Sequence, residues 1–127
     1  MRYKLVDVLA CPECKNFPLE LHVIEASKNH NEVSNIKNEL QSNTKPECEL
    51  FCSYLNKYTK SLTSAPCAEC NMIDIKKGYL VCDKCNRWYP ILDGIPELLP
   101  DYLRDDRREH EISISLGIKA RGTFIER

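Results

Sequence analysis

Four close pairs of cysteines, Cys11/Cys14, Cys48/Cys52, Cys67/Cys70 and Cys82/Cys85, constrain this chain of 127 residues more than anything else in it. A Cys-x-x-Cys turn delivers two thiolates from one tight loop, and two such turns complete the tetrahedral donor set that zinc prefers. In a reducing compartment closely spaced cysteines serve more often as metal knuckles than as disulfides. One cysteine is readily a small buried hydrophobe; four pairs are not. Spacing alone leaves two assignments open. CAEC (67–70) and CDKC (82–85) would make a compact ribbon around MIDIKKGYLV, whereas CPEC (11–14) with CDKC joins opposite ends of the chain. Chain order favours CPEC with CDKC, because otherwise the strand after CPEC has no sheet to join. Cys48, Cys52, Cys67 and Cys70 then form a second set, open to a second zinc, to one or two disulfides, or to free thiols.

The length bounds the fold to one or two small modules with a modest core. Basic residues (18) and acidic residues (19) nearly cancel, which removes a whole-molecule field toward nucleic acid or an anionic membrane. No run of 18 apolar residues occurs, and MRYKLVDVLACPEC lacks the apolar core of a signal peptide, so a cytoplasmic protein without membrane contact is expected.

PLELHVI (18–24) alternates apolar and polar residues, as a half-buried strand does. From Glu25 to about Thr44 the chain turns polar, with Val33, Ile36 and Leu40 at helical spacing. Pro46 followed by Phe51, Tyr54, Leu55, Tyr58 and Leu62 predicts a second helix that stops at Ser64-Ala65-Pro66. MIDIKKGYLV reads as two strands about a Lys-Gly turn. The expectation is α+β: a small zinc-ribbon-like antiparallel sheet from residues 1–24 and 72–102, a helical insertion at 25–71, and a tail at 103–127. In the tail LRDDRREHE is a charge cluster and EISISLGI alternates like a strand, either flexible or ordered on a partner.

In RWYPILDGIPELLP, Asp93-Gly94 marks a turn, and Pro90 and Pro96 cannot donate to a ladder, which places this segment at a sheet edge. An apolar edge requires a cover, and strand addition by another chain is one way to supply it. The glycines (78, 94, 117 and 122) are scattered, so no Gly-rich turn for a nucleotide or adenosylmethionine is present. His22, His30 and His110 stand apart from any nucleophile, His22 being a minor candidate as a further metal ligand. Catalysis is not expected.

LxxxLACPECK and, after the insertion, GYLVCDKCNRWYPILDGIPELLP closely resemble the small zinc-binding activator subunit shared by adenosylmethionine-dependent methyltransferases that modify tRNA, rRNA and release factors. The resemblance covers residues 4–24 and 78–102. It implies a non-catalytic subunit that binds one zinc through Cys11, Cys14, Cys82 and Cys85 and forms a heterodimer with a methyltransferase catalytic subunit. Contact with tRNA or another translation component would be indirect, through that partner. It also implies partner contacts from Trp88, Tyr89, Ile91, Ile95, Pro96, Leu98 and Leu99. Cys48, Cys52, Cys67, Cys70 and the tail fall outside the family pattern. Two other classes compete: a zinc-ribbon nucleic-acid binder, which would cluster cations and aromatics on one face, and a thiol-disulfide enzyme, which needs one activated, accessible thiolate.

Overall fold

A computed structural model describes residues 1–28 and 45–126. The helix expected across 25–44 therefore lies outside the described residues, apart from residues 25–28, which continue a strand. That strand, β1 (Glu20–Lys28), is followed by the short β2 (Phe51–Cys52) and β3 (Lys57–Tyr58), then by β4 (Ile73–Val81), β5 (Trp88–Leu92) and β6 (Ile95–Pro96). The main sheet is antiparallel in the order β1-β4-β5-β6, so segments from both sides of the insertion meet in it.

β4 is one continuous strand, not the two flanking a turn that Lys77-Gly78 suggested. Gly78 is needed for close approach instead. A Cβ there would stand 2.3 Å from the His22 carbonyl oxygen, where β1 bulges between Val23 and Ala26. The real reversal lies at Asp93-Gly94. Both residues take positive φ (51° and 78°), the two-residue turn that matches strand twist, and Leu92 faces Ile95 across it.

Strand periodicity divides the core. Leu80, Tyr89 and Ile91 point to one face and pack with Val6, Leu19 and Phe51, whereas Val81 and Trp88 point to the other. The second face is covered by the chain's own C-terminal residues. α2 (Asp106–Leu116), which follows a short α1 (Cys67–Asn71), lays Ile112 and Leu116 on Val81 and Trp88. A hairpin of β7 (Ala120–Arg121) and β8 (Phe124–Ile125) completes the cover, and Trp88 Nε1 donates to the Gly122 carbonyl at 2.8 Å.

The strand expected at EISISLGI is thus a helix, and the tail is part of the fold. Glu109, Ile112, Ser113 and Leu116 recur at three- and four-residue spacing, Asp105 caps the first turn by accepting from the Arg107 amide, and Gly117 (φ 71°) ends the last. The helix expected over 46–62 is also absent. Asp7 instead gathers the successive amides of Glu49, Leu50 and Phe51 at 2.8–2.9 Å, and Asn56 (φ 55°) reverses the chain between β2 and β3. The aromatic residues that suggested a helical stripe make edge contacts: Phe51 with Tyr58, and Tyr54 with Tyr3.

Candidate metal centre

The CPEC and CDKC segments fold into two copies of the same turn. In each, the residue after the second cysteine takes a left-handed conformation, Lys15 at φ 64° and Asn86 at φ 61°. Its amide donates to the carbonyl of the first cysteine (Lys15 to Cys11, 2.9 Å; Asn86 to Cys82, 2.8 Å). The first cysteine's amide in turn donates to the carbonyl that follows (Cys11 to Asn16, 3.0 Å; Cys82 to Arg87, 2.9 Å). The second knuckle joins β4 to β5, which fixes it to the sheet. Asn16 on one knuckle donates to Asp83 on the other at 2.7 Å.

The turns face each other and bring four sulfurs within 4.8 Å of one another. Cys11 Sγ lies 3.7 Å from Cys85 Sγ, and Cys14 Sγ 3.4 Å from Cys82 Sγ. A tetrahedral zinc with Zn–S of 2.3 Å sets its sulfurs about 3.8 Å apart. The donor set therefore fits a thiophilic tetrahedral cation, with both first cysteines fully buried. His22 is not in the cluster; it pairs with Glu20 at 2.8 Å and stacks on Tyr79.

Electrostatics agree. Burial pushes the Cys11 thiol up, but the Cys14 amide, the Tyr89 hydroxyl and the Glu13 amide outweigh it and bring it down to about 6. Burial holds Cys82 up at about 12 against the amides of Cys85 and Lys84, with Cys14 and Cys85 beside it opposing a second negative charge. Four crowded thiols cannot all ionise beside one another without a compensating cation. Tyr89 is held protonated by its burial and by Cys11, so its hydroxyl, 3.1 Å from Cys11 Sγ, acts as a donor to that thiolate.

The C-terminal residues buttress the centre, a contribution that sequence reading missed. Arg87 forms a two-pronged pair with Asp101 (2.9 and 2.8 Å), and the Asp101 amide donates to Glu13 on the first knuckle at 2.7 Å. Arg104, almost fully buried, pairs with buried Glu109, donates to the Trp88 carbonyl, and lies over the Tyr89 ring at 4.8 Å from its centroid. The interruption of LRDDRREHE by an N-cap at Asp105 was the available signal that this charge cluster has a fixed geometry.

The expected partner contacts divide in two. Trp88, Tyr89 and Ile91 are fully buried within their own chain, because the sheet's two faces are both covered. Ile95 is 64% exposed, and Pro96, Leu98 and Leu99 line an open groove of about 470 Å³ with Pro90 and Leu103. Elsewhere Cys48, Cys52, Cys67 and Cys70 converge on one small cavity as free thiols. Burial, with Cys52, Cys48 and Cys67 nearby, pushes Cys70 up to about 12, and burial with Asp7, Cys52 and Cys67 nearby pushes Cys48 up to about 11.

Paired cysteine knuckles at the root of a small antiparallel sheet define an α+β fold with a four-cysteine cluster of the kind a zinc ribbon has. The chain belongs to the Trm112p-like protein family, whose model matches residues 2–94 and so includes both knuckles. That family is the small zinc-binding activator of methyltransferases. No curated protein matches the chain significantly. Among the described residues no helix is long and apolar enough to cross a membrane.

Proposed function

We propose that this chain is a non-catalytic subunit that binds zinc through Cys11, Cys14, Cys82 and Cys85 and, as one half of a heterodimer, stabilises and activates an adenosylmethionine-dependent methyltransferase acting on tRNA, rRNA or a release factor. The observation that carries this reading is a four-sulfur centre clamping the root of a sheet, inside the stretch matched by a family of methyltransferase activators. The ion's task is structural: four thiolates and no fourth position for water leave no open site for chemistry.

β6 ends the sheet, and among the described residues no strand pairs with its outer side. Strand addition there would bury Ile95, while Pro96, Leu98 and Leu99 in the adjoining groove meet apolar surface of the catalytic subunit. Trp88, Tyr89 and Ile91 support that face from behind and do not touch the partner. Arg87, next to the second knuckle, is engaged by Asp101 in a two-pronged pair, which favours this reading over nucleic-acid binding.

Capture of the tagged protein from its native cell, with mass spectrometry of what accompanies it, tests the reading. A methyltransferase catalytic subunit is expected in stoichiometric amount with wild type and is expected to be lost with Ile95→Asp/Leu98→Asp while zinc is retained. Retention of the subunit by that variant would move the interface elsewhere. A wild-type protein that brings down no methyltransferase, and instead gives a salt-sensitive shift of RNA, would replace the reading with the nucleic-acid one.

A further inference from the structure

Cys48, Cys52, Cys67 and Cys70 come from three separate local structures: the turn held by Asp7, strand β2, and the short helix α1 with its approach at Ala65-Pro66. The fold nonetheless aims all four at one cavity of about 10 Å³, whose remaining wall includes Lys4, Glu47 and Tyr54. Such a space holds about one small sphere and no side chain. Cys52, Cys67 and Cys70 are buried, and none of the four is in a disulfide. The Glu47 amide points at Cys67 Sγ at 3.5 Å, the kind of backbone donor that sulfur ligands receive in the first centre.

Residues 45–71 are tied to the rest of the fold at Asp7, Phe51 and Tyr54, but their own core is small. Their buried side chains are Phe51, Cys52, Ala65, Cys67 and Cys70, so most of the core of this segment is sulfur. Its regular structure amounts to two-residue strands, a three-residue 3-10 turn and a five-residue helix. Segments of this size and composition require a staple.

We propose that Cys48, Cys52, Cys67 and Cys70 form a second tetrathiolate centre that takes a zinc ion and staples the insertion, independent of the centre at the root of the sheet. Among the described residues only the first set has every sulfur within 4.8 Å of every other, so the second closes on its ion by drawing the sulfurs inwards. The Cys48–Cys52 segment and α1 both line this cavity, and they are the segments that would move. Lys4 on the cavity wall offsets one of the two negative charges of a zinc tetrathiolate. The site has no open ligand position and is structural.

Metal analysis of the full chain purified with its natural partner decides this. Two zinc ions per chain are expected for wild type and one for Cys48→Ser/Cys70→Ser, with the remaining ion protecting Cys11, Cys14, Cys82 and Cys85 from iodoacetamide. One ion per wild-type chain, with Cys48, Cys52, Cys67 and Cys70 alkylated in the native protein or recovered as disulfide-linked peptides, would overturn the proposal. Two ions retained by the double variant would overturn it equally. Should that variant not fold, stepwise cobalt titration of apo wild type reads the same point. Thiolate-to-cobalt charge-transfer absorbance rising to two equivalents supports the second centre, and saturation at one removes it.

Discussion

The Tyr89 hydroxyl stands 3.1 Å from Cys11 Sγ while the Arg104 guanidinium lies over the opposite part of the same side chain, 4.8 Å from the ring centroid. One aromatic residue of the central strand thus touches the metal knuckle at its tip and the C-terminal segment at its ring. The sheet, the metal centre and the tail are joined through it.

Tyr89→Phe removes the donor and keeps the ring. Outer partners of metal ligands are typically worth about 10–100-fold in affinity, so zinc affinity measured against a competing chelator should fall by a factor in that range. The circular dichroism spectrum should not change. Unaltered affinity would mean that the hydroxyl is only a packing group.

Cys82→Ser removes a buried ligand shared by the knuckle and the end of β4. Structural zinc contributes on the order of 10 kcal/mol of apparent folding free energy at neutral pH, more than a domain of this size has to spare. The variant should lack the first zinc, melt without a cooperative transition, and fail to copurify with a methyltransferase. A cooperative melt at the wild-type temperature would show that the ion is not the scaffold.

Glu109→Ala leaves Arg104 charged, buried and without its carboxylate. Breaking such a pair from one side costs about 3–5 kcal/mol, which urea unfolding should register as a lower midpoint. Replacing both residues by apolar side chains of similar size should cost less than Glu109→Ala alone.

Gly78→Ala places a methyl group 2.3 Å from the His22 carbonyl, against backbone that cannot swing aside. The overpacking should cost about 2 kcal/mol. Gly117→Ala is a useful contrast, since nothing lies within 4 Å of its Cβ position and only the left-handed φ of 71° opposes it, at about 1 kcal/mol.

The Arg108 guanidinium holds the Glu97 carboxyl below its ordinary value. A lowered carboxylate value means that this contribution is complete above the unfolded value, about pH 4.3, and is lost as pH falls through the folded one. Arg108 is half exposed, so the effect is under about 1 kcal/mol. Glu97→Gln should be less stable than wild type at pH 6, and the difference should narrow as pH falls below about 4.3.

Where the sequence was legible, short-range chemistry decided the outcome. CPEC and CDKC form the same turn here, Asp93-Gly94 has one favoured reversal, and PLELHVI alternates, so both knuckles, the hairpin and β1 could be read directly. The misreadings share a cause in long-range packing. YLV and WYPIL are unbroken apolar runs, the pattern of strands covered on both faces, but nothing local to them says that the cover lies in the tail. EISISLGI satisfies two periods at once, and the Asp105 cap and Gly117 stop should have settled it as a helix. Asp7, 42 to 44 positions from the amides it gathers, overrode the helical spacing after Pro46. Nothing local to Gly78 announces that β1 presses on it.

Cys14 and Cys82 are 68 positions apart, yet their sulfurs stand 3.4 Å from each other. During synthesis the first knuckle therefore leaves the ribosome holding half a tetrahedron, and it must wait for most of the chain to emerge before the metal can be enclosed. The clasp closes late, and a message cut short anywhere before Cys85 yields a polypeptide whose first knuckle has no complete partner to close on.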